Sequence, residues 1–143
     1  AAPEKPAESK AQPIDSVSLD EVRQFMVDNA KIGRIVVIQG VAVNISKTPK
    51  EYIVIKARLM DAGQRVLSEV EQVAGVPLTL FQLQYLSEAE LKETLGNRIA
   101  ILTNNTNIPP GGKVSFAVVF TKVPESMRTF DLNVVSVRES TAR

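Results

Sequence analysis

Apolar residues alternate with a period of two over most of this chain and switch to helical spacing in one interval. The longest β-branched stretch is 33–46, GRIVVIQGVAVNIS, and the other segments read as paired to it or laid over it. Side chains alternate across a strand, so Ile35, Val37, Val41, Val43 and Ile45 share one face and Val36, Ile38, Gly40 and Ala42 the other. A strand apolar on both faces is central, or is covered on its second face by another element. Gly40 interrupts the run, and glycine in mid-strand marks a bulge or a close backbone approach. Asn44 and Ser46 close it with side chains that bond a turning backbone. For Gly40 and Asn44 the alternatives are a ligand contact and a local role as strand bend and strand cap; the ordinary chemistry of both residues favours the local role.

The same alternation recurs downstream. In 51–60, Ile53, Ile55, Ala57 and Leu59 face in while Lys56 and Arg58 face out. Asp61-Ala62-Gly63 is predicted to be a tight hairpin with Gly63 at positive φ. The return strand over 64–73 puts Val66 and Val70 on one face, with Arg65, Glu69 and Glu71 on the other. Strand 113–123 sets Val114, Phe116, Val118 and Phe120 against Ser115, Ala117 and Thr121, and Pro124 ends it. Over 129–137, Phe130, Leu132 and Val134 oppose Asp131 and Asn133, and the polar residues from 139 to 143 are expected to fray. Upstream, in 17–30, Ser18 and Glu21 have capping-box spacing with Val17 and Val22 as the staple, which predicts one helical turn. A short strand then hairpins through Asn29 to Gly33.

The period changes over 76–98. Thr79 with Gln82, stapled by Leu78 and Leu83, and Ser87 with Glu90, stapled by Leu86 and Leu91, predict two short helices in tandem. Leu80, Leu83, Leu91 and Leu95 give them apolar stripes, and Phe81 and Tyr85 add bulk four residues apart. Helices this short need a surface to cover, and the sheet is the expected one; a partner-binding groove is the alternative. The stretch 99–107 follows, ending on Asn107. Pro109-Pro110-Gly111-Gly112 then makes a turn, proline presetting φ and glycine taking positive φ. Five or six one-sided, mostly antiparallel strands with a short two-helix insertion are buried most economically as two facing sheets. The expected fold is mainly β: an immunoglobulin-like antiparallel β-sandwich over 17–138, without the cysteine and tryptophan hallmarks of antibody domains.

Composition narrows the chemistry. The 143 residues suit one domain, with a 44% hydrophobic and 23% charged composition ordinary for a soluble globule. A net charge of +1 gives no electrostatic reason to expect nucleic acid or an anionic membrane surface as partner. Residues 1–16, AAPEKPAESKAQPIDS, cannot bury a core and are expected to form a disordered tether. With Ala1 rather than Met at the start, the chain is expected to be a processed protein or part of a longer one. There is no histidine, the commonest general base and metal ligand, and no cysteine. No nucleophile elbow, phosphate loop, dinucleotide fingerprint or calcium loop occurs. The carboxylate groups Glu69 with Glu71, and Glu88 with Glu90 and Glu93, fall on a solvated strand face and at a capped helix start, where acids favour the dipole. Asn44 and Asn104 head glycosylation sequons, which say little without a secretory context. No catalysis, metal or cofactor is expected.

The stretch Gly33-Arg34-Ile35-Val36-Val37-Ile38-Gln39-Gly40-Val41-Ala42-Val43-Asn44-Ile45-Ser46, followed by Ile53 to Leu59 and Asp61-Ala62-Gly63, resembles a bacterial domain-of-unknown-function family. Asn107-Ile108-Pro109-Pro110-Gly111-Gly112 leading into Phe116-Ala117-Val118-Val119-Phe120 is similar to the same family, and the match spans about 20–137. The marker positions are Gly33, Gly40, Asn44, Gly63, Asn107, Pro109, Pro110 and Gly111. Full-length members typically carry a zinc ribbon, a low-complexity segment and one transmembrane helix before this domain. The resemblance therefore implies a juxtamembrane tether, a domain outside the cytoplasm anchored to the inner membrane only through an upstream helix, and no established activity. The expectation is a non-catalytic interaction or assembly module with a protein partner, exposed sheet edges permitting strand addition. A small-ligand or glycan binder is the alternative; two Tyr, five Phe and no Trp make a poor stacking platform.

Overall fold

The computed structural model describes residues 16–140, so the expected tether, apart from Ser16, lies outside the described residues, as do 141–143. Six strands and three short helices follow in the order β1 (Val17–Asn29), β2 (Gly33–Asn44), β3 (Lys50–Met60), β4 (Val66–Val73), α1 (Leu80–Tyr85), α2 (Glu88–Leu95), α3 (Arg98–Asn104), β5 (Lys113–Phe120) and β6 (Thr129–Glu139). The strands form two three-stranded antiparallel sheets, β1-β2-β5 and β4-β3-β6. This is the expected β-sandwich with a helical insertion.

β2 is the centre of its sheet, and its two apolar faces have different tasks. Val36, Ile38 and Ala42 meet Ile53, Ile55, Ala57 and Leu59 of β3 in the core between the sheets, joined by Val114, Phe116, Val118 and Phe120 of β5. Ile35 and Val37 point the other way, into a second core with Leu83, Leu91, Leu95 and Ile101 of the helices. The insertion therefore roofs the outer face of the first sheet, which explains a strand apolar on both sides. Ile35, Val36, Val37 and Ile38 are all fully buried. Each such side chain stabilises the fold by about 1.5–3 kcal/mol relative to exposure.

Four local expectations change. The segment from Val17 is strand, not a helical turn: Val17 pairs with Asn44 and Ser18 with Val43, and the register shifts between Asp20 and Arg23. Glu21 sits there at φ 54, a bulge residue rather than a helix cap, and the Ser18 hydroxyl bonds the Asp20 carboxylate at 3.4 Å. Pairing along β2 outweighs one capping box, because it supplies backbone bonds along the whole strand. In the β3–β4 connection the positive φ falls on Gln64, at 68°, and not on Gly63. The Asp61 carboxylate accepts from the Gly63 and Arg65 backbone N–H groups at 2.9 Å and holds the loop instead.

The insertion is also longer than two helices. Both expected boxes form, Thr79 with Gln82 and Ser87 with Glu90, and a third helix, α3, follows with the Asn97 side chain accepting from Ala100 N–H at 2.9 Å. Finally, Glu139 and Ser140, read as the start of a fraying end, are held. Glu139 closes β6, and Ser140 N–H donates to Pro49 O at 3.0 Å.

Candidate functional site

Buried asparagines fasten the loops to the sheets. Asn44 is fully buried; its amide donates to Thr48 O at 2.9 Å and Ile108 O at 2.8 Å, and its Oδ1 accepts from Ser46 N–H and Oγ–H. Its backbone also bonds the 109–112 turn, with Gly111 N–H donating to Asn44 O and Asn44 N–H to Gly112 O. In that turn Gly112 N–H donates to Pro109 O at 2.7 Å and Gly111 has φ 84. Pro110 and Gly111 thus hold the central positions of a turn that requires a left-handed residue second. Asn107, at φ 46, precedes Ile108, which bridges to Lys50. Asn44, Asn107, Pro109, Pro110 and Gly111 therefore meet at one end of the sandwich, while Gly33 lies at the opposite end of β2 and Gly63 in the β3–β4 loop. The marker residues do not form one site.

Two fasteners were not singled out from the sequence. Asn105, fully buried at the end of α3, accepts from Ile53 N–H at 2.9 Å and donates to Ile53 O at 3.0 Å and Ala74 O at 2.9 Å. Its side chain stands in for a strand beside β3. Asn29 donates to Leu83 O and Leu86 O at 2.7 and 2.8 Å and accepts from Lys31 and Ile32 N–H, tying the β1–β2 turn to α1. The signal available for Asn105 is the run Asn104-Asn105-Thr106-Asn107, since asparagine concentrates at helix ends and at left-handed residues. Among the described residues no buried side-chain nitrogen or oxygen lacks a partner.

Gly40 lies opposite Phe116, under the β1 bulge. A Cβ there would come within 2.9 Å of Phe116 Cζ and 3.0 Å of Asp20 O, so the position is a close approach of ring and backbone. Beside it opens a cleft of about 410 Å³ lined by Glu21, Arg23, Gln39, Leu78 and Ser115 among others. Gln39 Nε2 already donates to Leu78 O at 3.4 Å. A second cleft, about 380 Å³, runs between β4, α2 and the end of β5. A third of about 380 Å³ lies against α3, with Tyr52, Arg98 and Leu102 in its walls.

Apolar surface is concentrated on the insertion. Leu80, Phe81, Tyr85, Ile99 and Leu102 are exposed, Phe81 by 68% and Ile99 by 78%. The Phe81 and Tyr85 rings lean on each other with centroids 4.9 Å apart. The stripe expected to cover the sheet is thus divided: Leu83, Leu91 and Leu95 are buried, whereas Leu80 is not.

Charge is arranged for structure. Lys50 is buried and pairs with the exposed Glu139 carboxylate, which also accepts from Thr48 Oγ1 at 2.9 Å. The Lys50 ammonium, and then Thr48, hold the Glu139 carboxyl below its ordinary range. A carboxyl whose pKa is depressed by folding stabilises above its unfolded pKa and stops doing so as pH falls through the folded one. Glu139→Gln should therefore lower stability at neutral pH and make no difference once the carboxyl is protonated in acid; urea unfolding of both chains across that range checks it. The Glu90 carboxyl is held down chiefly by Ser87 N–H, and Asp61 chiefly by Arg65 N–H. Among the described residues no three acid, histidine or cysteine side chains cluster to hold a metal ion. No helix among them is long and apolar enough to cross a membrane.

No curated protein sequence matches the chain. A solved structure described as the X-ray structure of Northeast Structural Genomics Consortium target SoR45 is similar over 90% of this chain and 89% of that one, at 12% identity and a TM-score of 0.40. Residues 17–134, by contrast, match the family described as "Protein of unknown function (DUF3426)", and the chain belongs to that family.

Proposed function

We propose that this domain is a non-catalytic interaction or assembly module, held outside the cytoplasm by a membrane helix upstream of the tether and engaging a protein partner. The observation that carries the reading is the position of the exposed apolar surface: Phe81, Tyr85, Ile99 and Leu102 lie on the outside of helices whose inner faces are already buried on the sheet. Exposed apolar side chains gathered on one insertion are what a protein partner buries, whereas a ligand needs an enclosed, convergent pocket. The membrane context and the upstream zinc ribbon are supported by the resemblance in 33–46, 53–63 and 107–120. The absence of histidine and cysteine from the sequence supports a role without catalysis.

The small-ligand or glycan reading has the cleft beside Gly40 in its favour. The aromatic ring in that cleft belongs to Phe116, which is 1% exposed and offers no face for stacking. The test is affinity capture from bacterial envelope extract with the folded domain as bait, read by mass spectrometry. A reproducible envelope protein is the expected result. No specific partner, with the bait shown to be folded, would shift the reading to a ligand and call for a glycan and metabolite screen.

A further inference from the structure

We propose that the free edge of β4 is a docking strand for an extended segment of a partner polypeptide in which apolar and basic residues alternate. This rests on the interaction-module reading and adds to the exposed side chains of α1 and α3 a second contact, of stated chemistry, for the partner. β4 pairs with β3 alone, at the border of its sheet, and none of its eight residues is buried. From Ser68 to Val73 its register with β3 is unbroken. Beyond Val73 the chain turns to the other sheet, Gly75 N–H donating to Ser115 O at 2.8 Å, so the open edge has a defined end.

Beside that edge lies the cleft of about 380 Å³, where the partly exposed Val70 and Val119 stand over the buried Leu91 and Phe120, with Lys92 and Lys122 also in its walls. An added strand bonds through its backbone and is selected through alternate side chains. Those facing the cleft would meet Val70 and Val119.

Those facing the other way would stand beside Glu69 and Glu71. The outer face of the sheet sets the carboxylates of Glu69, Glu71 and Asp131 against Lys56 and Arg58. Arg58 gives two bonds to Asp131, at 3.0 and 2.6 Å, while Lys56 is shared by Glu69 at 3.3 Å and Glu71 at 3.8 Å. The surplus negative charge therefore lies on the edge strand, where lysine or arginine of an incoming strand would complement it.

The same charges argue against a second copy. Antiparallel pairing of two β4 edges would bring glutamates opposite glutamates, which destabilises a sheet. Residues 1–15 are also a poor occupant, since Pro3, Pro6 and Pro13 remove backbone donors.

The probe is a blocked heptapeptide of alternating valine and lysine, compared with one of valine and glutamate and titrated to millimolar concentration into the isotope-labelled domain. The valine–lysine peptide should shift the backbone amides of 68–73 and the adjoining face of α2, and bind at least tenfold more tightly than its acidic counterpart. Glu69→Lys with Glu71→Lys should reverse that preference. If the charge swap unfolds the domain, Glu69→Gln with Glu71→Gln should instead abolish it. Absence of binding, equal binding of both peptides, or shifts centred away from β4 would each overturn the proposal. Envelope capture separates this from the broader reading. A partner still retained by the E69K/E71K chain removes the β4 edge and keeps the module, whereas no partner for the unaltered folded chain removes the module.

Discussion

Replacing Asn105 with alanine is expected to destabilise the domain by about 3–5 kcal/mol, a large part of what a domain of this size has to lose. The side chain makes three hydrogen bonds to a part of the structure 52 residues earlier and to Ala74. Without it, Ile53 N–H and Ala74 C=O remain in fully buried positions with no partner in sight. Ile53 O is less affected, because it also accepts from Ala74 N–H at 3.0 Å. Each buried group left unpaired costs about 1–3 kcal/mol, and the small void adds to it. Asn104→Ala is the control: that amide donates once, to Gly75 O at 2.8 Å, in a partly buried position, and its loss should cost about 1 kcal/mol. Urea unfolding of the three chains gives the comparison. Equal midpoints for the two variants would show that Asn105 does not hold α3 to β3.

Gly40→Val should prevent the domain from folding stably, and Gly40→Ala should cost about 1–3 kcal/mol through overpacking. A Cβ at this position meets Phe116 Cζ at 2.9 Å and the Asp20 carbonyl at 3.0 Å. The Phe116 ring is fully packed and the carbonyl belongs to the bulged strand, so neither yields cheaply. If the ring is the main obstacle, Phe116→Leu should absorb part of the alanine cost. A double-mutant cycle on unfolding free energy measures this, with an expected coupling of about 1 kcal/mol. A stable Gly40→Val domain with altered ligand binding would return Gly40 to the ligand-contact role.

Local causes show in the sequence and distant ones do not. β2 was legible because a strand apolar on both faces needs covers on both, and the second sheet and the insertion supply them. The boxes at Thr79 and Ser87 were legible because a capping box is complete within four residues. Ser18 and Glu21 have the same spacing and misled, since pairing of β1 with residues 33–44 decides that segment from outside it. Gly63 misled for a related reason: the Asp61 carboxylate organises the loop, which leaves the positive φ to Gln64. Asn105 derives its value from Ile53 and Ala74, and Asn29 from Leu83 and Leu86 as well as from its own turn; no local pattern reveals the distant partners. The candidate interaction face was half legible. Helical spacing placed Leu83, Leu91 and Leu95 against the sheet, but it could not show that Leu80, Phe81, Tyr85, Ile99 and Leu102 would remain outside.

The exposed side chains of α1 and α3 serve either a partner or the fold. Phe81→Gln with Ile99→Gln removes two of the most exposed apolar ones and keeps good helix formers in α1 and α3. If the face serves a partner rather than the fold, the double variant should unfold within about 0.5 kcal/mol of the unaltered chain. It should also lose the envelope protein that the unaltered domain captures. Undiminished capture, or a loss of stability well beyond that margin, would contradict the account.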